Sequence, residues 1–345
     1  MAISMTPPAG AGDFLARAGW GGAQVLPLAG DASFRRYFRV VDGARQAVLM
    51  DAPPPHEDPR PFIHVAEDLT GIGLSAPAIL TRDLDQGLLL IEDFGSVRMR
   101  ETVDADIRLE PSVYAGVVDV LIELHRHAPP PGLKTHGLDQ WLEEVCLFPD
   151  WYCPAVGLDV DRDAFLAAWR EVLAPVDAQG QSVTELRDYH AENIMLLGDR
   201  AGVDRFGLLD FQDALAGPVG YDLASIFKDC YIRWPRERVE TWVLAHRQAL
   251  RRQGASTLAG ASDAEFLRWF DLVSVQRHLK ILGIFARLWW RDGKSGYLAD
   301  LPLTVEYLQD SCGRYAELAP LGTWLQQQVT PQLAAAHARA LADRS

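Results

Sequence analysis

Arg187-Asp188-Tyr189-His190-Ala191-Glu192-Asn193, followed seventeen residues after Asn193 by Asp210-Phe211-Gln212-Asp213, is the stretch that decides how this chain is read. Two short apolar runs, Ile194-Met195-Leu196-Leu197 and Phe206-Gly207-Leu208-Leu209, lie between the two clusters and flank a polar turn. They predict a small hairpin. Asp188 or Asn193 alone reads as part of an ordinary polar turn, and Asp210 alone as a turn residue or helix cap. In combination they bring two carboxylates and an amide to strand ends. Those hard oxygen donors suit a divalent cation, with one acidic group left to orient a hydroxyl.

Outward from this stretch the chain changes character twice. Between Gln24 and Met50, Phe34, Phe38 and Val40 alternate with polar neighbours, and Gln46-Ala47-Val48-Leu49-Met50 follows the turn Asp42-Gly43, which predicts a hairpin. Prolines 53, 54, 55 and 59 make a loop before a helix near Phe62 to Thr70. A strand pair at Ala78 to Arg82 and Gly87 to Ile91 leads to a hinge at Asp93-Phe94-Gly95. Beyond it Val113, Val117, Val120, Leu121 and Leu124 share one helix face. Further helices are predicted over Asp163 to Leu173, Tyr221 to Tyr231, Arg236 to Arg252, Ala264 to Trp290, Val305 to Glu317 and Gly322 to Ala342. Met1 to Gly12, rich in Ala, Gly and Pro, reads as a loose terminus.

Composition narrows the partners. The 345 residues are 48% hydrophobic and 23% charged, as in a packed globular protein. A net charge of -14 and the lack of a basic stripe exclude nucleic acid. Cys146, Cys153, Cys230 and Cys312 show no C-x-x-C spacing and read as reduced thiols. No apolar run of about 18 residues and no basic leader are present, so the reading has no membrane contact and a cytoplasmic location. Oligomeric state is left open.

An aspartate and an asparagine five apart, then a strand ending in an aspartate, reproduce the catalytic-loop and metal-ligand spacing of protein-kinase-like enzymes. Phosphoryl transfer needs an aligned acceptor oxygen and a divalent ion on the phosphates. Asp188 is therefore the candidate catalytic base, and Asn193 and Asp210 the candidate Mg²⁺ ligands. With Tyr221-Asp222-Leu223-Ala224 downstream, the chain resembles the aminoglycoside phosphotransferase family, relatives of choline and fructosamine kinases, from about Leu26 to Trp290. The resemblance implies an α+β, two-lobed protein-kinase-like fold, with residues 1–95 as nucleotide-binding lobe and 96–345 as helical catalytic and substrate lobe. It implies ATP between the lobes, hinge contacts to adenine around Glu92 to Phe94, and Asp222 bracing the Asp188 loop.

One part departs from that pattern. The strand that usually carries a phosphate-binding lysine ends Val48-Leu49-Met50, and the first lysine of the chain is Lys134. An arginine from the segment Gly30 to Arg39 is the expected substitute. Alternation puts Arg35 and Arg39 on one strand face, and Ser33 with its backbone N–H groups is a further phosphate contact. Glu67 stands where the lysine's usual glutamate partner would be, and Leu186 replaces the histidine that usually precedes the catalytic aspartate by two residues.

Four longer stretches, Gly30 to Tyr37, Leu49 to Pro54, Leu186 to Asn193 and Asp210 to Ala214, resemble bacterial cell-wall-recycling kinases that phosphorylate N-acetylmuramate and N-acetylglucosamine at the anomeric hydroxyl. The resemblance implies a small amino-sugar substrate, peptidoglycan recycling, and a sugar 1-phosphate that a nucleotidyltransferase then consumes. Trp234, Tyr231, Trp289 and Trp290 are candidate sugar platforms, and Arg233, Arg277 or Lys280 candidate partners for a lactyl carboxylate. An aminoglycoside or choline-type kinase, or a nucleotide-binding pseudokinase, stays open at this point.

Overall fold

The computed structural model describes residues 6–28, 34–180, 183–254, 261–332 and 335. In chain order the elements begin α1 (Ala11–Arg17), β1 (Gln24–Pro27), β2 (Arg36–Asp42), β3 (Arg45–Asp51), α2 (Arg60–Gly71), β4 (Ile79–Asp83), β5 (Leu88–Glu92), α3 (Met99–Ala105) and α4 (Glu110–His125). They continue α5 (Leu138–Val145), α6 (Cys153–Ala155), α7 (Arg162–Asp177), β6 (Val183–Glu185), β7 (Ile194–Leu196), β8 (Phe206–Leu208) and β9 (Leu215–Gly217). The C-terminal part holds α8 (Tyr221–Phe227), α9 (Arg236–Arg252), α10 (Asp263–Trp290), α11 (Leu301–Cys312) and α12 (Ala319–Trp324). The chain divides into two compact units, one made of residues 1–124 with 191–214 and the other of 125–190 with 215–345.

The first unit is built on an antiparallel sheet in the order β1-β2-β3-β5-β4. Its central strand, β3, is buried from Ala47 to Asp51, which is why that run lacks the polar alternation of an open face. Phe38, Val40, Ala47, Leu49, Leu88 and Leu90 form one apolar layer, and Ala11, Phe14 and Leu15 of α1 cover it. Helix therefore begins inside the stretch 1–12 that composition marks as loose. The hairpin expected around Asp42-Gly43 is present, with Asp42 opposite Arg45 and Gly43 at φ 60°. The unit extends past the hinge because Arg98 bridges Met195 and Ser75 bridges Gly207.

The second unit packs around α10. Ser262 Oγ accepts from Glu265 N–H at 3.2 Å while Glu265 Oε2 accepts from Ser262 N–H at 2.8 Å, a reciprocal cap that starts the helix. Asp161 caps α7 in a similar way, accepting from Asp163 and Ala164 N–H. Trp141, Val145, Phe148, Leu173, Leu279, Leu282 and Leu308 belong to the core these helices share. The helix expected over residues 221–231 stops at Phe227, where Lys228 leaves helical geometry and its ammonium meets buried Asp271 at 2.7 Å. The one expected over 305–317 runs instead from Leu301 to Cys312. The expectation for 322–342 lies partly outside the described residues. No disulfide joins the four cysteines, all of which are buried. Among the described residues no helix is long and apolar enough to cross a membrane.

Candidate active site

The Asp188 loop belongs to the second unit and leaves β6, which pairs with β9. Asp222, at the start of α8, accepts from the backbone N–H of Leu186 at 2.7 Å and of Arg187 at 2.9 Å. This is the bracing contact that the resemblance implies. Arg187 itself sits at φ 71°, a left-handed conformation that a side chain of this size adopts only when its surroundings hold it there. Asp188 N–H donates to Leu186 C=O at 2.9 Å and His190 N–H to Asp188 C=O at 3.0 Å, so the turn is tight on both sides of the carboxylate.

Beneath the loop lies a buried charge network that the sequence did not announce. The Arg187 guanidinium and the Lys280 ammonium both donate to Glu144 Oε1, at 2.5 Å and 3.0 Å. Gln276 Nε2 donates to Glu144 Oε2 at 2.9 Å, and His136 Nε2 lies 3.3 Å from the same oxygen. The other ring nitrogen of His136 is 2.5 Å from Glu185 Oε2. Burial alone would keep His136 neutral, but Glu185 and Glu144 outweigh it and raise its pKa. Burial would raise Glu144 too, yet Lys280, His136 and Arg187 hold its carboxyl well below the usual range. Burial works against the charges of Arg187, Arg277 and Lys280, and the groups around them, Tyr221 first and Asp188 among them, reverse that effect and raise all three.

Asn193 and Asp210 lie in the first unit, at one end of the hairpin β7–β8. Continued one step past the pair Ile194 and Leu208, the register sets Asn193 against Leu209, the neighbour of Asp210, and Leu209 N–H donates to Asn193 C=O at 3.0 Å. Asp210 is held at φ 58°, again left-handed. An amide oxygen and a carboxylate are the hard donors a small divalent ion prefers, and such an ion takes its remaining ligands from water and phosphate. The residues present therefore fit. No cluster of three or more His, Cys, Asp or Glu side chains that could hold a metal exists among the described residues.

The expected phosphate contacts separate. Buried Arg35 has its NH2 3.8 Å from Asp210 Oδ1. Arg39 is engaged elsewhere, making two bonds to Asp93, at 2.6 and 3.0 Å, and one to Gly95 C=O at 2.9 Å. Ser33 lies outside the described residues. Glu92 pairs with Arg200, and its Oε2 accepts from Ala78 N–H at 3.3 Å. The Phe94 ring packs on Gly207, where a Cβ would lie 2.6 Å from the ring. Glu67 makes only an exposed pair with Arg82 at 3.4 Å. Of the candidate sugar contacts, Trp290 is exposed, Tyr231 and Trp289 pack on the core of the second unit, and Arg233 pairs with Glu306 and Asp310 at 2.6 Å each.

The fold and this loop define a kinase-type phosphotransferase. The chain belongs to the phosphotransferase enzyme family, whose model matches residues 24–262. It is 40% identical over 321 residues to an N-acetylmuramate/N-acetylglucosamine kinase of Pseudomonas aeruginosa, covering 89% of this chain and 90% of that one. A protein of the same name from Neisseria meningitidis is 36% identical over 87% of this chain and 89% of the relative. Ethanolamine kinase from Plasmodium vivax shares the fold with a TM-score of 0.59 at 12% identity, over 86% of this chain and 83% of that one. Choline kinase LicA from Streptococcus pneumoniae does so with 0.57 at 12%, over 82% and 92%. Membership in the family brings ATP, a divalent metal ion and a small-molecule acceptor.

Proposed function

We propose that this chain transfers the γ-phosphoryl group of Mg²⁺-bound ATP to the anomeric hydroxyl of N-acetylmuramate and N-acetylglucosamine, within peptidoglycan recycling. The observation that carries the reading is the 40% identity to a kinase of that name over nine-tenths of both chains. In this reading residues 1–95 bind nucleotide, residues 96–345 supply catalysis and the acceptor pocket, and the protein is cytoplasmic. Glu92 and Phe94 mark the adenine contact, Ser33 and Arg35 the phosphate side, and Arg39, bonded to Asp93 and Gly95, steadies the hinge beside them. Asn193 and Asp210 hold the metal ion. When bound, that ion neutralises phosphate charge. Asp188 orients the acceptor hydroxyl and takes its proton. An anomeric hydroxyl is more acidic than other sugar hydroxyls, so positioning supplies most of the acceleration.

The test is phosphorus and proton NMR of the product made from ATP with each sugar and with its 1-O-methyl glycoside. A phosphate on carbon 1, and no reaction of the glycosides, is the expected result. A phosphate on carbon 6, or turnover of the glycosides at a similar rate, overturns the anomeric assignment.

A further inference from the structure

Asp229 and Arg277 are buried with hydrogen-bonding capacity left unfilled, although their opposite charges lie near enough to act on one another. Both carboxylate oxygens of Asp229 are buried without a hydrogen-bond partner, and so is NH1 of Arg277. The two residues are 1% and 6% exposed. A carboxylate removed from water with nothing donating to it works against folding, and proteins keep such groups where a ligand completes them.

Their placement points to the acceptor. Arg277 NH2 donates to Ser225 Oγ at 2.9 Å, and that hydroxyl donates to Arg187 C=O at 3.2 Å, so the guanidinium is tethered one residue from Asp188. The Tyr231 ring, two residues beyond Asp229, meets the ring of His190, two residues beyond Asp188, with centroids 6.1 Å apart. A cavity of about 280 Å³ opens beside the same segment, lined by Lys228, Arg233, Trp234 and Tyr307 among others. Three other cations of the region are committed: Lys228 to Asp271 and Ser311, Lys280 to Glu144 and Tyr221, Arg233 to Glu306 and Asp310.

We propose that Asp229 and Arg277 form the acceptor-recognition subsite, Asp229 accepting hydrogen bonds from adjacent ring hydroxyls and Arg277 NH1 donating to the acetamido carbonyl oxygen. A pyranose offers vicinal O–H donors and its N-acetyl group one strong acceptor, which matches the unfilled acceptors and donor of this pair. The assignment rests on the amino-sugar reading above.

The experiment is steady-state kinetics of Asp229→Asn with N-acetylglucosamine and ATP varied in turn, beside thermal melts. The acceptor KM should rise roughly ten- to hundredfold, the scale of a hydrogen bond to a charged group. The ATP KM should stay put, and the melts separate a loss of recognition from a loss of fold. Asp229→Ser serves as a second variant should the first misfold. On wild type, 3-deoxy- or 4-deoxy-N-acetylglucosamine should lose a similar factor, and Asp229→Asn should lose little more on that same analogue. An unchanged acceptor KM in both variants, or a lowered melting temperature with both KM values intact, overturns the subsite in favour of a structural role. A wild-type enzyme inert toward both sugars overturns the amino-sugar reading itself, and this assignment with it.

Discussion

The side chain of Arg187 is anchored on Glu144 at 2.5 Å. The residue just before Asp188 is thus fixed at its guanidinium as well as at its backbone N–H. Glu144→Gln removes the one carboxylate that Arg187 and Lys280 share and leaves two buried cations without it. Urea denaturation should show a loss of about 3 kcal/mol, as for a broken buried pair, and kcat should fall with the ordering of the loop. An unchanged unfolding midpoint would mean that the network does not hold this turn.

Asp222 gives a pH dependence with a definite sign. Burial and then the nearby Glu185 push its carboxyl up to about 7, against the pull of the Leu186 and Arg187 N–H groups. The folded chain keeps a proton that the unfolded chain releases near 3.8. The contribution of Asp222 is therefore fully present below that value and is lost as pH rises through 7. Relative to Asp222→Asn, wild type should lose about 2 kcal/mol of stability between pH 5 and pH 8. Parallel denaturation curves at the two pH values check the direction.

The proposed catalytic roles separate by what each variant leaves intact. Asp188→Asn should lower kcat by roughly a hundredfold or more while Mg·ATP still binds. Asp210→Ala should abolish turnover and also weaken metal-dependent nucleotide binding in calorimetry. Normal turnover in the first variant, or normal Mg·ATP affinity in the second, would falsify the respective role.

Arg35 and Arg39, placed on one strand face by alternation, should differ in kind. Arg35 stands 3.8 Å from Asp210, so Arg35→Ala should raise the ATP KM by about tenfold, the worth of one charge-assisted contact. Arg39 is clamped on Asp93, so Arg39→Ala should chiefly lower the melting temperature through the hinge turn. Equal effects of both variants on the ATP KM would support the paired phosphate clamp that strand alternation suggests.

Much of this fold follows from spacing that the chain displays openly. Arg236–Arg252 and the hairpin around Asp42-Gly43 are found where periodicity and turn chemistry put them, because local rules decide them. The strands β6 and β9 escaped notice at three residues each, too short for a period to show. The α5 helix, which carries Glu144, was missed because Leu138–Val145 is only eight residues long. Asp188, Asn193 and Asp210 stand out by their spacing within one stretch, whereas the partners of Glu144 come from positions 136, 187, 276 and 280. A network gathered from such distant positions leaves no local trace. Arg39 shows the other limit, since alternation gives a strand face but not the acid that waits there.

Helix α10 supplies Asp271 to Lys228, Gln276 and Lys280 to Glu144, Arg277 to Ser225 and His278 to the Lys228 carbonyl. Its 28 residues extend about 40 Å, and these attachments fall within ten consecutive positions. Amide protons in that middle segment can exchange with solvent only when the whole second unit opens, because no part of it can fray without uncovering several buried charges together. The Asp188 turn hangs from the same helix, so its deuterium uptake should follow the slow, global regime and not that of an ordinary surface loop.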